Sequence, residues 1–184
     1  MKYAAEILNH LDLNVVPTPL ELQELQSDDL RTIARHKAAQ AFEQLGPHVV
    51  IEDGGLFIEA LNGFPGPYTA YVARTLGAIG LCNLLAGVQH RQAIFRSVLI
   101  YIDDSGSEHQ FIDDTNYLQI ADHPSEQTSE DGWSDLWSAL IPPGETRPYT
   151  DLPPHTITGW LESRRRRSTF MQLGLYLNGF NADE

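Results

Sequence analysis

The chain is 184 residues long, with 42% apolar and 20% charged residues, which is the composition of one ordinary globular domain able to bury its own core. Its formal net charge of −13 argues against sequence-independent binding to DNA or RNA, whose phosphates repel an acidic surface. The single cysteine, Cys82, excludes an internal disulfide framework, and no apolar stretch is long enough to span a membrane. The polar, periodic start is unlike a secretory signal, so a cytoplasmic protein is expected.

Ala4, Ile7, Leu8 and Leu11 repeat at helical spacing and predict an amphipathic helix over 2–11. Leu13 to Val16 reads as a short strand closed by Pro17 and Pro19. A longer helix is predicted from Asp28, with Ser27 as its N-cap, Leu30, Ile33, Ala34, Ala38, Ala41, Phe42 and Leu45 on its inner side, and Gly46-Pro47 as its stop. Val49–Ile51 and Leu56–Leu61 are predicted strands on either side of a glycine pair. Residues 69–86 read as helical, with a break near Gly77–Gly80. Phe95 to Ile102 is apolar on both faces, as in a central strand. Asp103-Asp104-Ser105-Gly106 is a hairpin signal, and Gln110 to Ile120 is its return strand. Residues 122–131 read as an acidic surface loop, Leu136–Ile141 as a further strand ended by Pro142-Pro143-Gly144, and a last helix is predicted to open at Thr156 or Thr158 and run to about Leu177. This order predicts an α/β protein with a mixed sheet.

The most informative segment is Val49 to Gly66, VVIEDGGLFIEALNGFPG. A buried strand delivers Glu52 and Asp53 to a glycine turn, the kind of place where ligand crevices form in open α/β sheets. Carboxylates there suit a hard divalent cation and, through it, a polyphosphate. Asp53 is the better candidate, because its strand neighbour Glu52 points to the opposite face; the bland reading of Asp53 is a turn-capping residue. Trp133 and Trp137 offer faces for stacking on a base, though a period of four in an apolar segment serves core packing equally well. The basic block Arg164 to Arg167 is a solvated helix face or a phosphate contact. The seven histidines show no ligand spacing.

Asp53-Gly54-Gly55-Leu56 followed by Ala60-Leu61-Asn62-Gly63-Phe64-Pro65-Gly66-Pro67-Tyr68 resembles the hallmark of the inosine triphosphate pyrophosphatase family. That pattern is an acidic pair, Ser/Thr-Gly-Leu, then Ala-Leu-x-Gly-x-Pro-Gly-x-Tyr. Glu24-Leu25-Gln26 with Ile33-Ala34 and Lys37-Ala38 is similar to the family's Glu-Ile-Gln to Glu-Ile-Ala-x-x-Lys-Ala segment. Ile141-Pro142-Pro143-Gly144 and Tyr149-Thr150-Asp151-Leu152 resemble its Ile-Pro-x-Gly and Tyr-Ala-Glu-Leu.

The resemblance implies an elongated two-lobed α/β fold, a mixed β-sheet flanked by helices in one domain, with substrate in a central cleft and usually a homodimer. It implies Mg²⁺-dependent cleavage of a nucleoside triphosphate, of the deaminated-purine kind, to monophosphate and pyrophosphate. Carried over residue by residue, Glu24 and Asp53 would be metal ligands, Asp53 also the group that orients the attacking water, and Lys37 and Gly54 substrate contacts. Lys2 stands where the lysine of the family's Thr/Ser-Gly-Asn-x-x-Lys phosphate loop belongs, but the loop itself has no counterpart in this sequence. Gly132-Trp133-Ser134-Asp135-Leu136-Trp137-Ser138 replaces the base-contacting Phe-Gly-Tyr/Trp-Asp-Pro, which makes Trp133 and Trp137 the substrate-binding candidates there. Ser163-Arg164-Arg165 is the nearest echo of a Ser-His-Arg signature, which adds Arg164 and Arg165. These departures leave a second expectation, a weakly active or inactive nucleotide-binding or dimerising protein of the same fold.

Overall fold

The computed structural model describes residues 2–127 and 134–179. Five strands form one sheet in the order β2-β1-β3-β4-β5: β1 (Val49–Ile58), β2 (Pro65–Gly66), β3 (Gln92–Ile102), β4 (Glu108–Ile120) and β5 (Leu140–Ile141). Among the described residues six α-helices accompany them: α1 (Lys2–Asn9), α2 (Leu30–Leu45), α3 (Thr69–Thr75), α4 (Gly77–Leu84), α5 (Pro154–Arg165) and α6 (Thr169–Leu177). The pairs β1–β2 and β4–β5 run antiparallel. Alternating strands and helices are thus present as the sequence predicts. Among the described residues, no helix is long and apolar enough to cross a membrane.

Contacts divide the chain into two compact units. The first is Met1–Gly54, Ser97–Asp113 and Glu162–Glu184; the second is Gly55–Arg96 and Asp114–Leu161. In the first unit, Ala4, Ile7 and Leu8 of α1 meet Phe170 and Leu173 of α6 over Leu99 and Tyr101 of β3, with Val50 of β1 against them. The helices cross closely at Gly174, where an added Cβ would lie 2.2 Å from the Leu11 side chain. Lys37 of α2 bonds Asp53, whereas Thr169 of α6 bonds Glu52. Because neighbouring strand residues point to opposite faces, α2 and the α1/α6 pair serve opposite faces of β1.

In the second unit, Leu56 and Ile58 of β1 and Leu118 and Ile120 of β4 pack with Val72, Leu81, Leu136, Trp137, Tyr149 and Leu152. The half-buried Arg91 guanidinium donates to the carbonyls of Leu85, Ile120 and Ala121, at 2.6–2.8 Å. Those bonds tie the end of α4 to the end of β4 through backbone oxygens. Asp135 Oδ2 accepts from the Ala78 N–H at 2.9 Å, inside the first turn of α4.

Several local expectations change. Residues 13–16 form no strand: Leu13 and Val15 lie against the first unit's core while Val16 stays 71% exposed, so packing of an irregular segment produces the alternation. The N-cap of α2 is Asp29, whose side chain accepts from the Arg31 N–H, while Ser27 bonds Asp29 one step earlier. The glycine pair does not divide β1, which continues to Ile58. Most of the strand expected at 136–141 is a 3₁₀ turn, Asp135–Ala139, that turns Leu136, Trp137 and Ala139 into the core. The last helix is two helices, because Ser168 caps a new one through its bond from the Met171 N–H.

Candidate functional site

Lys37 of α2 stands at the centre of the site. Its position follows from local sequence: Ile33, Ala34, Ala38 and Ala41 are buried, and small alanines let α2 lie close enough for Lys37 to reach β1. Its Nζ is 2.7 Å from Asp53 Oδ2 and 3.3 Å from Glu24 Oε1. The Lys37 and Asp53 side chains are 18% and 13% exposed, against 64% for Glu24. Asp53 is held a second time, since its Oδ1 accepts from the Gly54 N–H at 3.1 Å. Burial works against the Lys37 charge, but the hydrogen bond and field of Asp53, with Glu24 behind them, outweigh it and push the ammonium above its usual value.

Two acids from separate stretches and one amine therefore come together within the first unit. A further feature is the glycine that follows. A Cβ on Gly55 would lie 2.4 Å from the Gly66 carbonyl oxygen, so only glycine lets β1 and β2 approach. Beyond it, the Leu56 N–H donates to the buried Thr69 hydroxyl, which itself donates to the Gly66 carbonyl. Asp53-Gly54-Gly55-Leu56 is thereby fixed in shape by backbone contacts.

The donor set fits a hard divalent cation. Mg²⁺ is ordinarily held by one or two carboxylates, with water and substrate phosphates completing its shell. Glu24 and Asp53 supply two carboxylates of which one is open to solvent, and the Lys37 ammonium already sits between them as a cation does. Among the described residues, no group of three or more His, Cys, Asp and Glu forms a dedicated metal cage.

Glu52, on the opposite face of β1, accepts a hydrogen bond from the Thr169 hydroxyl at the start of α6. Loss of hydration among its neighbours pushes its carboxyl up, against the Thr169 bond and the Arg164 charge that pull it down. This partnership leaves no periodic trace in the sequence.

The other candidates divide. Gly54 lies in the site, as the donor to Asp53. Arg164 and Arg165 occupy the last turn of α5, half-buried, and the Arg164 charge acts on Glu52. Lys2 belongs to α1, with its side chain outside what the structure describes. Trp133 also lies outside the described residues. Trp137 is a correction to the stacking expectation. It is 6% exposed in the core of the second unit, its ring 5.0 Å from that of Tyr149 and 6.5 Å from that of Trp160. A ring this deeply buried is packed among apolar neighbours and presents no open face on which a base could stack.

Comparison with known proteins follows the same lines. A family model described as the Ham1 family matches residues 2–160. A dITP/XTP pyrophosphatase of Methanopyrus kandleri is 41% identical over 149 residues, covering 81% of this chain and 77% of that protein. One from Pyrobaculum aerophilum is 34% identical over 177 residues, covering 96% and 90% respectively. Among solved structures, a HAM1 protein from Coxiella burnetii superposes with a TM-score of 0.75 at 20% identity, over 97% of this chain and 92% of that one. At that identity the likeness is one of fold.

Proposed function

The chain belongs to the Ham1 family, and on that premise we propose that it is a Mg²⁺-dependent hydrolase that splits a nucleoside triphosphate of the dITP/XTP kind into monophosphate and pyrophosphate. The observation that carries this reading is the convergence of Glu24, Lys37 and Asp53. Related proteins named dITP/XTP pyrophosphatase support the substrate class.

In this reading Glu24 and Asp53 hold the cation. When bound, Mg²⁺ neutralises the triphosphate and stabilises the charge that builds as the phosphoryl group transfers. Lys37 exchanges its carboxylate partners for phosphate oxygens, which its three donors suit. Asp53, fixed by the Gly54 amide, accepts from a water and aligns it on the α-phosphorus. The water oxygen bonds to that phosphorus as the water gives a proton to Asp53, the bond from phosphorus to the α–β bridging oxygen breaks, and pyrophosphate leaves. Positioning and electrostatics supply the rate, because little covalent work falls to the protein.

A homodimer is the assembly this reading favours. The sequence holds no Asp or Glu between Glu59 and Asp103, in a chain with 25 of them. Tyr68, Tyr71, Leu76, Ile79 and Leu84 are exposed along that acid-free stretch, on and around α3 and α4. Two copies of a −13 chain can approach through such a surface with least repulsion.

The test is turnover. Purified protein is incubated with Mg²⁺ and a panel of inosine, xanthosine, deoxyinosine and the standard triphosphates, and pyrophosphate is measured. Release from the deaminated purines, lost on chelation, is expected. No turnover of any triphosphate at high protein concentration would leave a nucleotide-binding protein without this activity.

A further inference from the structure

Glu24 lies in a segment with no secondary structure of its own: residues 13–26 run without helix or strand. An exposed glutamate on such a segment would swing through many rotamers, and ordering it costs conformational entropy. Yet it is found 3.3 Å from Lys37. The residue that holds it there is its neighbour's partner. The Gln23 N–H donates to Gln40 Oε1 at 2.8 Å, and Gln40 Nε2 donates back to the Gln23 carbonyl at 2.9 Å. The second Nε2 hydrogen goes to the His36 carbonyl at 3.3 Å, one turn earlier in α2. The amide of Gln40 thus copies the pairing of a β-ladder, and its orientation is fixed because it faces both a donor and an acceptor of one residue.

The geometry gives this pairing a purpose. Lys37 and Gln40 are three residues apart on α2 and share a face. Gln23 and Glu24 are adjacent on the segment. Two successive residues of the segment are therefore matched to two residues one turn apart on the helix: Gln23 to Gln40, and Glu24 to Lys37. Among the described residues, two polar links join residues 14–26 to a regular element, the Gln40 bonds to Gln23 and the Lys37–Glu24 ion pair; the Thr18 hydroxyl bonds only within the segment, to the Val16 carbonyl.

We propose that Gln40 is a positioning residue that docks the Gln23-Glu24 segment on α2 and so presents the Glu24 carboxylate beside Lys37 for the cation of the bound triphosphate. This rests on the proposed function for its catalytic consequence, and on Gln40 alone for the docking. The Gln40 amide is taken up by Gln23 and the His36 carbonyl. Its effect passes through Glu24.

The test is a double-mutant cycle with two readouts. Gln40→Ala and the similarly long Gln40→Met keep α2 intact, since both are good helix formers. The first readout is the Mg²⁺ concentration that gives half-maximal pyrophosphate release. Loss of two neutral hydrogen bonds predicts a rise of about tenfold in Gln40→Ala. In a Glu24→Ala background, the same substitution should add nothing further. Effects that multiply in the double variant would show that Gln40 acts on the fold at large, and would overturn the proposal. The second readout needs no activity. Amide hydrogen exchange at residues 21–25 should speed up in Gln40→Ala and Gln40→Met but not in Glu24→Ala, because Glu24 takes no part in the pairing. Unchanged exchange in both Gln40 variants would overturn the docking claim. If the wild-type protein turns over no triphosphate, the proposed function falls, and exchange alone still decides whether Gln40 docks the segment.

Discussion

Replacing Lys37 by Met tests how the site is held together before any ligand arrives. The substitution keeps the length of the side chain and removes the cation. Asp53, 13% exposed, then loses its 2.7 Å partner and keeps only the Gly54 amide, while Glu24 still approaches with its own charge. Breaking a fully buried pair costs about 3–5 kcal/mol, and the residual exposure here lets water replace part of the ammonium, which lowers the expected cost to about 2–3 kcal/mol. For a chain of this size that is a fall in melting temperature of about 4–12 °C. Asp53→Asn should cost less, about 1–2 kcal/mol, because Lys37 retains Glu24 and the amide oxygen still accepts a bond. Glu24→Gln should cost less than about 1 kcal/mol, as expected of a pair open to water. The assay is urea unfolding in chelator at several pH values. The Lys37 ammonium is pushed above the 10.5 of the free side chain. Its contribution is therefore complete below that pH, and it disappears as pH rises through the folded value. The gap between wild type and Lys37→Met should be flat to about pH 9 and should close above pH 10.5. A Met variant as stable as wild type at neutral pH, or a gap untouched by high pH, would refute the pairing.

Three further outcomes follow from the same structure. Trp137→Ala should lose about 3–5 kcal/mol of stability as a buried aromatic is deleted, while the folded fraction keeps the base preference of wild type in the triphosphate panel. Gly55→Ala should destabilise by about 1–3 kcal/mol, towards the upper end because the atom met at 2.4 Å is a backbone oxygen that cannot swing away; denaturant midpoints measure it. Asp103 accepts bonds from His109 and from Ser105 and Ser107, which hold its carboxyl well below the usual range. Its contribution is complete above the unfolded value and is lost as pH falls through the folded one, so Asp103→Asn should lower the melting temperature at neutral pH and the difference should shrink below about pH 4.

What the sequence reveals depends on whether the cause of a structure is local. Helix α1 was legible because Ala4, Ile7 and Leu8 repeat at 3.6 residues and pack as that period requires. Glu24, Lys37 and Asp53 were legible through their resemblance to family motifs, and the structure brings them within 3.3 Å of one nitrogen. The continuity of β1 through Gly54 and Gly55 was hidden. Glycine usually punctuates a strand, and here the cause of Gly55 is the carbonyl of Gly66, far along the chain. Trp137 was ambiguous for a related reason: an aromatic at an apolar spacing does not show whether its faces meet Tyr149 and Trp160 or a ligand. The Gln23–Gln40 pairing left no pattern at all, since one half of it is backbone. Strand patterns at 13–16 and 136–141 misled because alternating burial also arises in coil and in 3₁₀ turns that lean on a core.

The account stands most directly on the carboxylate of Asp53. Initial rates of pyrophosphate release from inosine triphosphate at saturating Mg²⁺ should be compared for wild type and Asp53→Asn, with far-ultraviolet circular dichroism confirming that both are folded. A fall of about 10²–10⁴-fold is predicted, the range a positioned proton-accepting group contributes. A folded Asn variant that releases pyrophosphate at the wild-type rate would contradict the account.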